Sequence, residues 1–250
     1  MCGRYLLLSP AEAMRRLFLL VGGLPNFPAR YNVAPTDTMP VMRMTNTGDR
    51  ELVLLRWGLV PSWADGLAVG SRMINARGET VATKGAFRES FAQRRCLVPA
   101  DGYYEWKVID GKRQPYLIRP SNGALMAFAA IWDAWTRPLD VQTGSPRDVG
   151  PAGQVIETYS IVTGPALPSV ANTHDRMPVV LDPENFDAWL DPHAGPDDLA
   201  RLVVPSHVDL TVIAVSPSVN SVKNDDAGCL DPVDPVDSVE PVEPRQASLF

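Results

Sequence analysis

The sequence predicts an α+β fold with a β-rich, mostly antiparallel core. Runs of alternating or β-branched residues outnumber helical patterns, and the two kinds of element do not alternate regularly, as a doubly wound parallel sheet would require. The 250 residues are 45% hydrophobic and 21% charged, which is typical of a globular protein with one sizeable core. We therefore predict a single compact domain with a few peripheral helices.

The first predicted element is a helix that begins near Ser9. Ser9 is placed to cap this helix, Pro10 suits its first turn, and Glu12 lies three residues after Ser9, as in a capping box. Apolar residues then recur on one face, and the pair Gly22-Gly23 is expected to end the helix.

Further strands and helices are predicted along the body of the chain. The strand patterns are Glu51 to Trp57, Ala124 to Trp132, Thr158 to Thr163, and Val208 to Val215. The helical patterns are Ala86 to Gln93, the residues after Asp182-Pro183, and Asp197 to Val203. Residues 142–154 are rich in Gly, Pro and Asp, and we expect them to form an exposed loop within the same domain.

The C-terminal residues 229–250 differ in composition from the body. From Asp231 an acidic residue followed by Pro-Val or Ser-Val recurs every three residues, a pattern typical of extended, solvated chain that cannot form a core. We predict a folded domain over residues 1–228 and a disordered acidic tail over residues 229–250. The tail closes with Gln246, Leu249 and Phe250, whose apolar side chains could dock in a partner's pocket while Gln246 fixes the register.

The net charge of −6 is concentrated in this C-terminal part. Seven of the 29 acidic residues but only one of the 23 basic residues lie from Asp225 onward. The rest of the chain therefore has 22 of each and is neutral. Only four of the basic residues are lysine. Arginine suits bidentate phosphate contacts and stacking on bases, although a GC-rich genome would produce the same bias.

Several classes of protein are not favoured. No apolar run is long enough to span a membrane and no signal peptide is evident, so we expect a cytoplasmic protein. Cys2, Cys96 and Cys229 are odd in number and far apart, and neither they nor the three histidines have metal-ligand spacing. We therefore expect no disulfide framework, no metal and no cofactor.

The position of Cys2 makes it the first candidate for chemistry. Removal of Met1, which a small second residue permits, would leave a free α-amine beside the thiol. Their ordinary pKa values lie near ~8 and ~8.5, so both groups have a nucleophilic fraction at neutral pH. Such a pair can condense with an aldehyde to an imine and then close to a thiazolidine without a cofactor. The alternative is that Cys2 is only a small apolar residue near the chain end.

Three other polar residues lie in segments where they need a partner or a function. Asn75 follows an apolar run, where an unpaired amide is costly. Glu105 stands between Tyr104 and Trp106, which could desolvate its carboxyl, raise its pKa and make it a general acid or base; pairing with an arginine is as common. His174 is the only histidine in a dense polar cluster.

Six motifs occur in a fixed order along the chain. They are Cys2 to Tyr5, Arg30 to Pro35, Trp57 to Trp63, Ile74 to Thr80, Arg95 to Trp106, and His174 to Pro178. This order resembles the SRAP family, named for SOS response-associated peptidases, from Cys2 to about Asn224. The resemblance implies a compact SRAP-type domain with a groove for single-stranded DNA. It also implies that the N-terminal cysteine crosslinks to the aldehyde of an abasic site and shields the lesion.

The resemblance implies roles for the polar residues named above. Cys2 is the nucleophile, and Asn75 orients its amine by hydrogen bonding. Glu105 and His174 move protons during opening of the deoxyribose ring, imine formation, ring closure and slow reversal. Such a protein would be a crosslinking enzyme with lyase and autopeptidase activity.

Four more residues are implied to bind DNA. Arg4, Arg77 and Arg176 would hold phosphates beside the lesion, and Trp63 would stack on bases or wedge between them. Trp63 could instead cover the core. Many relatives carry a second tryptophan where this chain has Ala64, so wedging at a duplex is expected to be weaker here.

Two rival functions remain open from the sequence. One is an N-terminal-nucleophile cysteine peptidase or amidohydrolase, and the other is a non-catalytic module for single-stranded DNA. The ending Gln246-x-x-Leu249-Phe250 resembles the short peptide that docks on the replication sliding clamp, a low-specificity match. We expect a monomer associated with the nucleoid.

Overall fold

The computed structural model describes residues 2–137, 153–204 and 208–234. Met1 and most of the predicted loop over residues 142–154 lie outside the described residues. So do residues 235–250 of the predicted tail, including Gln246, Leu249 and Phe250. No helix in the described ranges is both long and apolar enough to cross a membrane.

Strands dominate the described part of the chain. The strands are β1 (Arg4–Leu7), β2 (Arg30–Val33), β3 (Thr38–Met44), β4 (Arg50–Trp57), β5 (Asn75–Arg77), β6 (Arg95–Ala100), β7 (Gly102–Ile109), β8 (Lys112–Pro120), β9 (Met126–Thr136), β10 (Val155–Pro165), β11 (Arg176–Pro178) and β12 (Leu210–Ala214). The helices are α1 (Ala11–Phe18), α2 (Gly78–Val81), α3 (Arg88–Gln93), α4 (Pro168–Ala171), α5 (Phe186–Leu190) and α6 (Pro196–Leu202).

The first sheet places the N-terminal strand in its interior. Its strand order is β12-β8-β7-β1-β2, and every neighbouring pair is antiparallel. Tyr5 of β1 lies opposite Tyr103 of β7. Because β1 is hydrogen-bonded on both sides, the residues just before it have a fixed position, and Cys2 is one of them.

The second sheet closes on itself. Strands β4, β3, β6, β9 and β10 pair in that order, and β10 then pairs back to β4. Strands β5 and β11 also pair with β10. Only the pairings of β10 with β4 and β5 are parallel among the described strands. The predicted β-rich, mostly antiparallel α+β fold is therefore confirmed.

A buried aromatic cluster joins the two sheets. Tyr5 from the first sheet packs edge-on against Trp57 of β4, with ring centroids 5.2 Å apart. Trp57 in turn stacks on Tyr159 of β10 at 6.4 Å. Cys2 belongs to the same hydrophobic cluster and is completely buried. The nucleophile candidate therefore lies where the two sheets meet.

The predicted body strands correspond to β4, β9, β10 and β12, and the later helices to α3, α5 and α6. The capping box at the first helix is wrong. The hydroxyl of Ser9 donates to Asp101 Oδ1 at 2.6 Å, and α1 begins at Ala11 without a side-chain cap. The helix ends at Phe18, followed by Leu19 in the left-handed conformation (φ 53°), ahead of the predicted glycine pair. The hydroxyl of Ser9 therefore binds Asp101, which is distant in sequence, and does not cap the helix.

The chain after β12 forms a segment that we call the C-terminal clasp (residues 215–234), which returns to β2. Asp225 Oδ1 accepts hydrogen bonds from the backbone N–H of Tyr31 at 2.6 Å and of Asn32 at 2.9 Å, and Asp225 also pairs with Arg30. Cys229 is completely buried, and Pro232 forms a bridge with Val215. Contacts with the body therefore extend past residue 228, where the predicted domain ends, and include the hydrogen bond from the N–H of Val233 to Ala214 at 3.1 Å.

Candidate active site

Asn75 and Cys2 are joined by a hydrogen bond. Strand β5 runs parallel to β10 and places Asn75 opposite Ile161. From there Asn75 Nδ2 donates to the carbonyl oxygen of Cys2 at 2.7 Å. The other end of the amide, Oδ1, is buried and has no hydrogen-bond partner in the described part of the chain. An acceptor is therefore available immediately beside the backbone of Cys2.

The thiol of Cys2 lies in surroundings that favour its neutral form. Its Sγ atom is 3.7 Å from the carbonyl oxygen of Arg4. Burial raises the pKa of the Cys2 thiol well above its ordinary value, and the nearby carboxylate of Glu105 raises it further. A thiolate would form here only when a proton acceptor or a compensating donor is close.

Glu105 is buried on β7, with 3% of its surface exposed. Burial raises the pKa of its carboxyl. The direction agrees with the sequence prediction, but the predicted cause is wrong. Tyr104 and Trp106 belong to a separate cluster on the opposite face of β7, because neighbouring residues of a strand point to opposite sides.

Tyr103, which the sequence analysis did not single out, lies on the same face of β7 as Glu105. Its hydroxyl is buried and has no partner among the described residues. Burial, and then the charges of Cys2 and Glu105, raise the pKa of Tyr103, so the phenol stays protonated and remains a donor. The neighbouring Tyr5 differs, since its hydroxyl pairs with that of Tyr159 at 2.8 Å.

His174 has contacts that suit both of its protonation states. The backbone N–H of Arg176 donates to Nδ1 at 3.0 Å, which fits a neutral ring that carries its proton on Nε2. Asp175 Oδ1 lies 2.7 Å from the same Nδ1 atom, which fits a protonated ring that donates there. The Nδ1 atom of the imidazole is therefore in contact with two groups of its own segment.

Arg176 is bound to a carboxylate that the sequence analysis did not assign. Its two terminal nitrogens donate to the two oxygens of Glu79, each at 2.9 Å. One of them also donates to the carbonyl oxygen of Thr163 at 2.7 Å. The hydrogen bond from Arg176 lowers the pKa of Glu79, so this carboxylate is charged at neutral pH. Arg77, by contrast, is exposed and its side chain makes no hydrogen bond or ion pair to the described part of the chain.

Arg4, which is predicted to bind a phosphate, lies where β1, β2 and the C-terminal clasp meet. Its guanidinium donates to Asn32 Oδ1 at 2.7 Å and to the carbonyl oxygen of Val219 at 3.0 Å. It also lies over the ring of Trp106, 5.9 Å from the centroid. These contacts tie β1 to β2 and to the C-terminal clasp.

Trp63 is 65% exposed, which rules out the alternative that it covers the core. The loop that carries it is nevertheless firmly held. Asp133 accepts from the backbone N–H of Ser62 at 3.2 Å, and the indole of Trp135 donates to the carbonyl oxygen of Ala64 at 2.7 Å. An exposed indole on a fixed loop can serve as a stacking platform.

Several residues of the site could not have been assigned from sequence reasoning. Glu79 and Tyr103 lie inside the quoted motifs, yet only the structure reveals what each side chain faces. The described residues contain no group of three or more His, Cys, Asp or Glu side chains arranged to hold a metal ion.

Comparisons with known proteins place the chain in a family. The family model described as SOS response associated peptidase (SRAP) matches residues 1–222. The abasic site processing protein YoqW of Bacillus subtilis (strain 168) is 36% identical over 231 residues, covering 90% of this chain and 96% of YoqW. The abasic site processing protein HMCES of Gallus gallus is 31% identical over 233 residues, covering 81% of this chain and 66% of HMCES.

Solved structures show the same fold. A crystal structure of a protein from Bacteroides thetaiotaomicron has a TM-score of 0.77 at 23% identity, covering 93% of this chain and 100% of that one. A second, from Bordetella bronchiseptica, has a TM-score of 0.68 at 26% identity, covering 86% and 100%. On the extent of the family match and the identity to its relatives, the chain belongs to the SRAP family.

Proposed function

We propose that this protein processes abasic sites in single-stranded DNA by crosslinking Cys2 to the aldehyde of the lesion. The names of its relatives support abasic-site processing. The observation that carries the chemical proposal is the free acceptor Asn75 Oδ1, which lies beside the backbone of Cys2 and suits an N–H of a free α-amine.

In the first step the α-amine of Cys2 adds to C1 of the ring-opened deoxyribose. Asn75 Oδ1 accepts one N–H and aims the nitrogen lone pair at the carbon. The resulting carbinolamine loses its hydroxyl as water when Glu105 supplies a proton, which gives the imine. The raised pKa of Glu105 suits this task, since its carboxyl keeps a proton closer to neutrality than an exposed one does.

In the second step Cys2 Sγ adds to the imine carbon. The thiol proton passes to Glu105, the C–S bond forms, and the imine nitrogen takes up a proton, so the overall change is amine, thiol and aldehyde to thiazolidine and water. His174 moves the proton that opens the sugar ring. Reversal uses the same groups in the opposite order.

The strand is held by side chains around this centre. Arg4, Arg77 and Arg176 bind phosphates and Trp63 stacks on a base, and Arg4 also fixes β1 to the C-terminal clasp. A protein with this substrate works in the cytoplasm at the nucleoid. Gln246, Leu249 and Phe250 would bring it to stalled forks by docking on the sliding clamp.

Intact-mass analysis tests the crosslink. Protein that begins at Cys2 should form a one-to-one adduct with an abasic oligonucleotide, and the adduct mass should be the sum of both minus one water. Protein that retains Met1 should form no adduct, because its Cys2 nitrogen is an amide. Equal crosslinking rates for the two forms would show that the mechanism is wrong.

The same Cys2 could also support the amide hydrolysis that the family name suggests, or strand cleavage by elimination from the imine. Replacement of Cys2 by serine separates these reactions from the crosslink. A hydroxyl can still attack an amide, and the α-amine can still form an imine, but the stable thiazolidine requires sulfur.

A further inference from the structure

The fork of Arg176 is filled by Glu79 in a geometry that a phosphate would otherwise adopt. Both terminal nitrogens bind both carboxylate oxygens at 2.9 Å, a bidentate arrangement that guanidinium groups form equally with carboxylates and phosphates. The Arg176 side chain is only 14% exposed, so it has little other surface to offer a strand. A phosphate can therefore reach this fork only by displacing Glu79.

The carboxylate of Glu79 is able to leave the Arg176 fork. Its side chain is 49% exposed, and it lies in the short helix α2 directly after β5. Arg176 would remain in place, because the carbonyl oxygen of Thr163 accepts from it at 2.7 Å independently of Glu79. A hydrogen bond to β10 therefore holds Arg176 in place, whereas the carboxylate of Glu79 is held by its ion pair with Arg176.

We propose that Glu79 is a specificity residue that occupies the Arg176 fork in place of a phosphate and so weakens binding to intact single strands. An abasic strand, which gains a covalent bond to Cys2, tolerates this competition, whereas an undamaged strand does not. The inference rests on the proposed function, since it takes the ligand of Arg176 to be a DNA phosphate.

The charges around the fork support this assignment. Glu79 pairs with Arg176 at contact distance, whereas the neighbouring Arg77 is exposed and is not part of this ion pair. Arg77 also lies close enough to Glu79 to contribute to lowering the pKa of its carboxyl. Without bound DNA, Arg77 is therefore the phosphate site that is available here, and the Arg176 fork is occupied by Glu79.

The test compares Glu79→Gln with Glu89→Gln in the full chain beginning at Cys2. Glu89 is a matched control because it pairs with Arg94 at 3.0 Å, its side chain is 61% exposed, and its replacement changes the net charge by the same amount. Binding of an intact single-stranded oligonucleotide is followed by fluorescence anisotropy from about 50 to 200 mM salt. Melting curves establish that both variants fold.

We expect Glu79→Gln to bind about two- to fivefold tighter than wild type at the lowest salt, the range that an exposed ion pair allows. Its slope of log affinity against log salt should steepen by about 0.7, the value of one added phosphate contact on a single strand. Glu89→Gln should match the wild type in slope. The double variant Glu79→Gln/Arg176→Gln should return to the wild-type slope, and Arg77→Gln should lose about 0.7 from it.

The inference is overturned if Glu79→Gln binds the intact strand no more tightly than Glu89→Gln does. Weaker binding by Glu79→Gln would make Glu79 a residue that positions Arg176. Absence of strand binding by every protein overturns it as well. Crosslinking to an abasic oligonucleotide, measured separately by mass, reports on the proposed function. Normal crosslinking without the Glu79 effect rejects only the inference. The Glu79 effect without crosslinking rejects the proposed function and the specificity role of Glu79, and leaves only its competition with phosphate for the Arg176 fork.

Discussion

Two adjacent tyrosines show how differently one hydroxyl can contribute to stability. The hydroxyl of Tyr104 donates to the carbonyl oxygen of Tyr31 at 2.7 Å, whereas that of Tyr103 is buried without a partner in the described part of the chain. A buried polar group without a partner costs free energy that its removal recovers. The two residues are therefore a natural matched pair.

We expect Tyr104→Phe to lower the free energy of unfolding by about 1 kcal/mol, since a net hydrogen bond is lost. Tyr103→Phe should leave it unchanged or raise it by up to about 1 kcal/mol. Urea denaturation of both variants beside the wild type measures the difference. A loss in Tyr103→Phe as large as that in Tyr104→Phe would mean that the Tyr103 hydroxyl has a stabilising partner.

At this scale the sequence identifies residues better than it identifies their surroundings. Asn75 and Glu105 stand out because polar groups in apolar segments need partners or a function; Asn75 donates to the carbonyl oxygen of Cys2, and Glu105 is buried. The source of desolvation at Glu105 was wrong because strand alternation sends its neighbours to the other face. The sequence does not reveal the partner of Arg176, because Glu79 is distant in sequence and the two meet only through the pairing of β10 with both β5 and β11.

Among the elements, the loop that follows β4 depends on one glycine. Gly58 has φ 114°, a left-handed conformation that side chains disfavour. A Cβ added there would lie 2.6 Å from the carbonyl oxygen of Gly70. Gly66, in the same loop, has extended backbone and nothing within 4 Å of an added Cβ.

Gly58→Ala should therefore lower the free energy of unfolding by about 2 kcal/mol or more, through backbone strain and overlap with Gly70. Gly66→Ala should change it by less than about 0.5 kcal/mol. Thermal or urea unfolding distinguishes the two, and quenching of the exposed Trp63 reports whether the loop has moved. Equal stability of the two variants would refute the role assigned to Gly58.

Strong hydrophobic patterns gave the correct element type for β4, β9, β10 and β12, because burial on a sheet imposes the alternation or the β-branched run that the sequence displays. The short strands β1, β2 and β5 carry too few residues for a periodic signal. Local capping at Ser9 failed because Asp101, brought near by the strand order, binds that hydroxyl instead. Where a local pattern covers only a few residues, tertiary contacts determine the structure.

For the whole molecule, the C-terminal clasp limits where the acidic tail can be removed. The backbone N–H of Ser216 donates to the carbonyl oxygen of Asp231 at 2.8 Å, and that of Val233 donates to Ala214 at 3.1 Å. A deletion that starts at Asp231 would remove both bonds. A deletion after Asp234 spares them and still removes three acidic residues and one arginine.

We expect the chain ending at Asp234 to unfold at the same temperature as the full chain and to bind single-stranded DNA more tightly at low salt, because negative charge that repels the phosphates is lost. A chain ending at Leu230 should melt at a lower temperature. Calorimetry and anisotropy measure the two effects. Equal affinity of the full chain and the chain ending at Asp234 would exclude the tail from control of DNA binding.

The pairing of β1 also limits when Met1 can be removed by an enzyme that needs an extended chain end. Strand β1 pairs with β7, and Tyr5 meets its partner Tyr103, only after the intervening chain has been made. At usual rates of synthesis this takes on the order of 5 to 20 s. An aminopeptidase must act on the nascent chain within that interval. We expect molecules that fold with Met1 in place to stay blocked, so the active fraction is fixed at the ribosome.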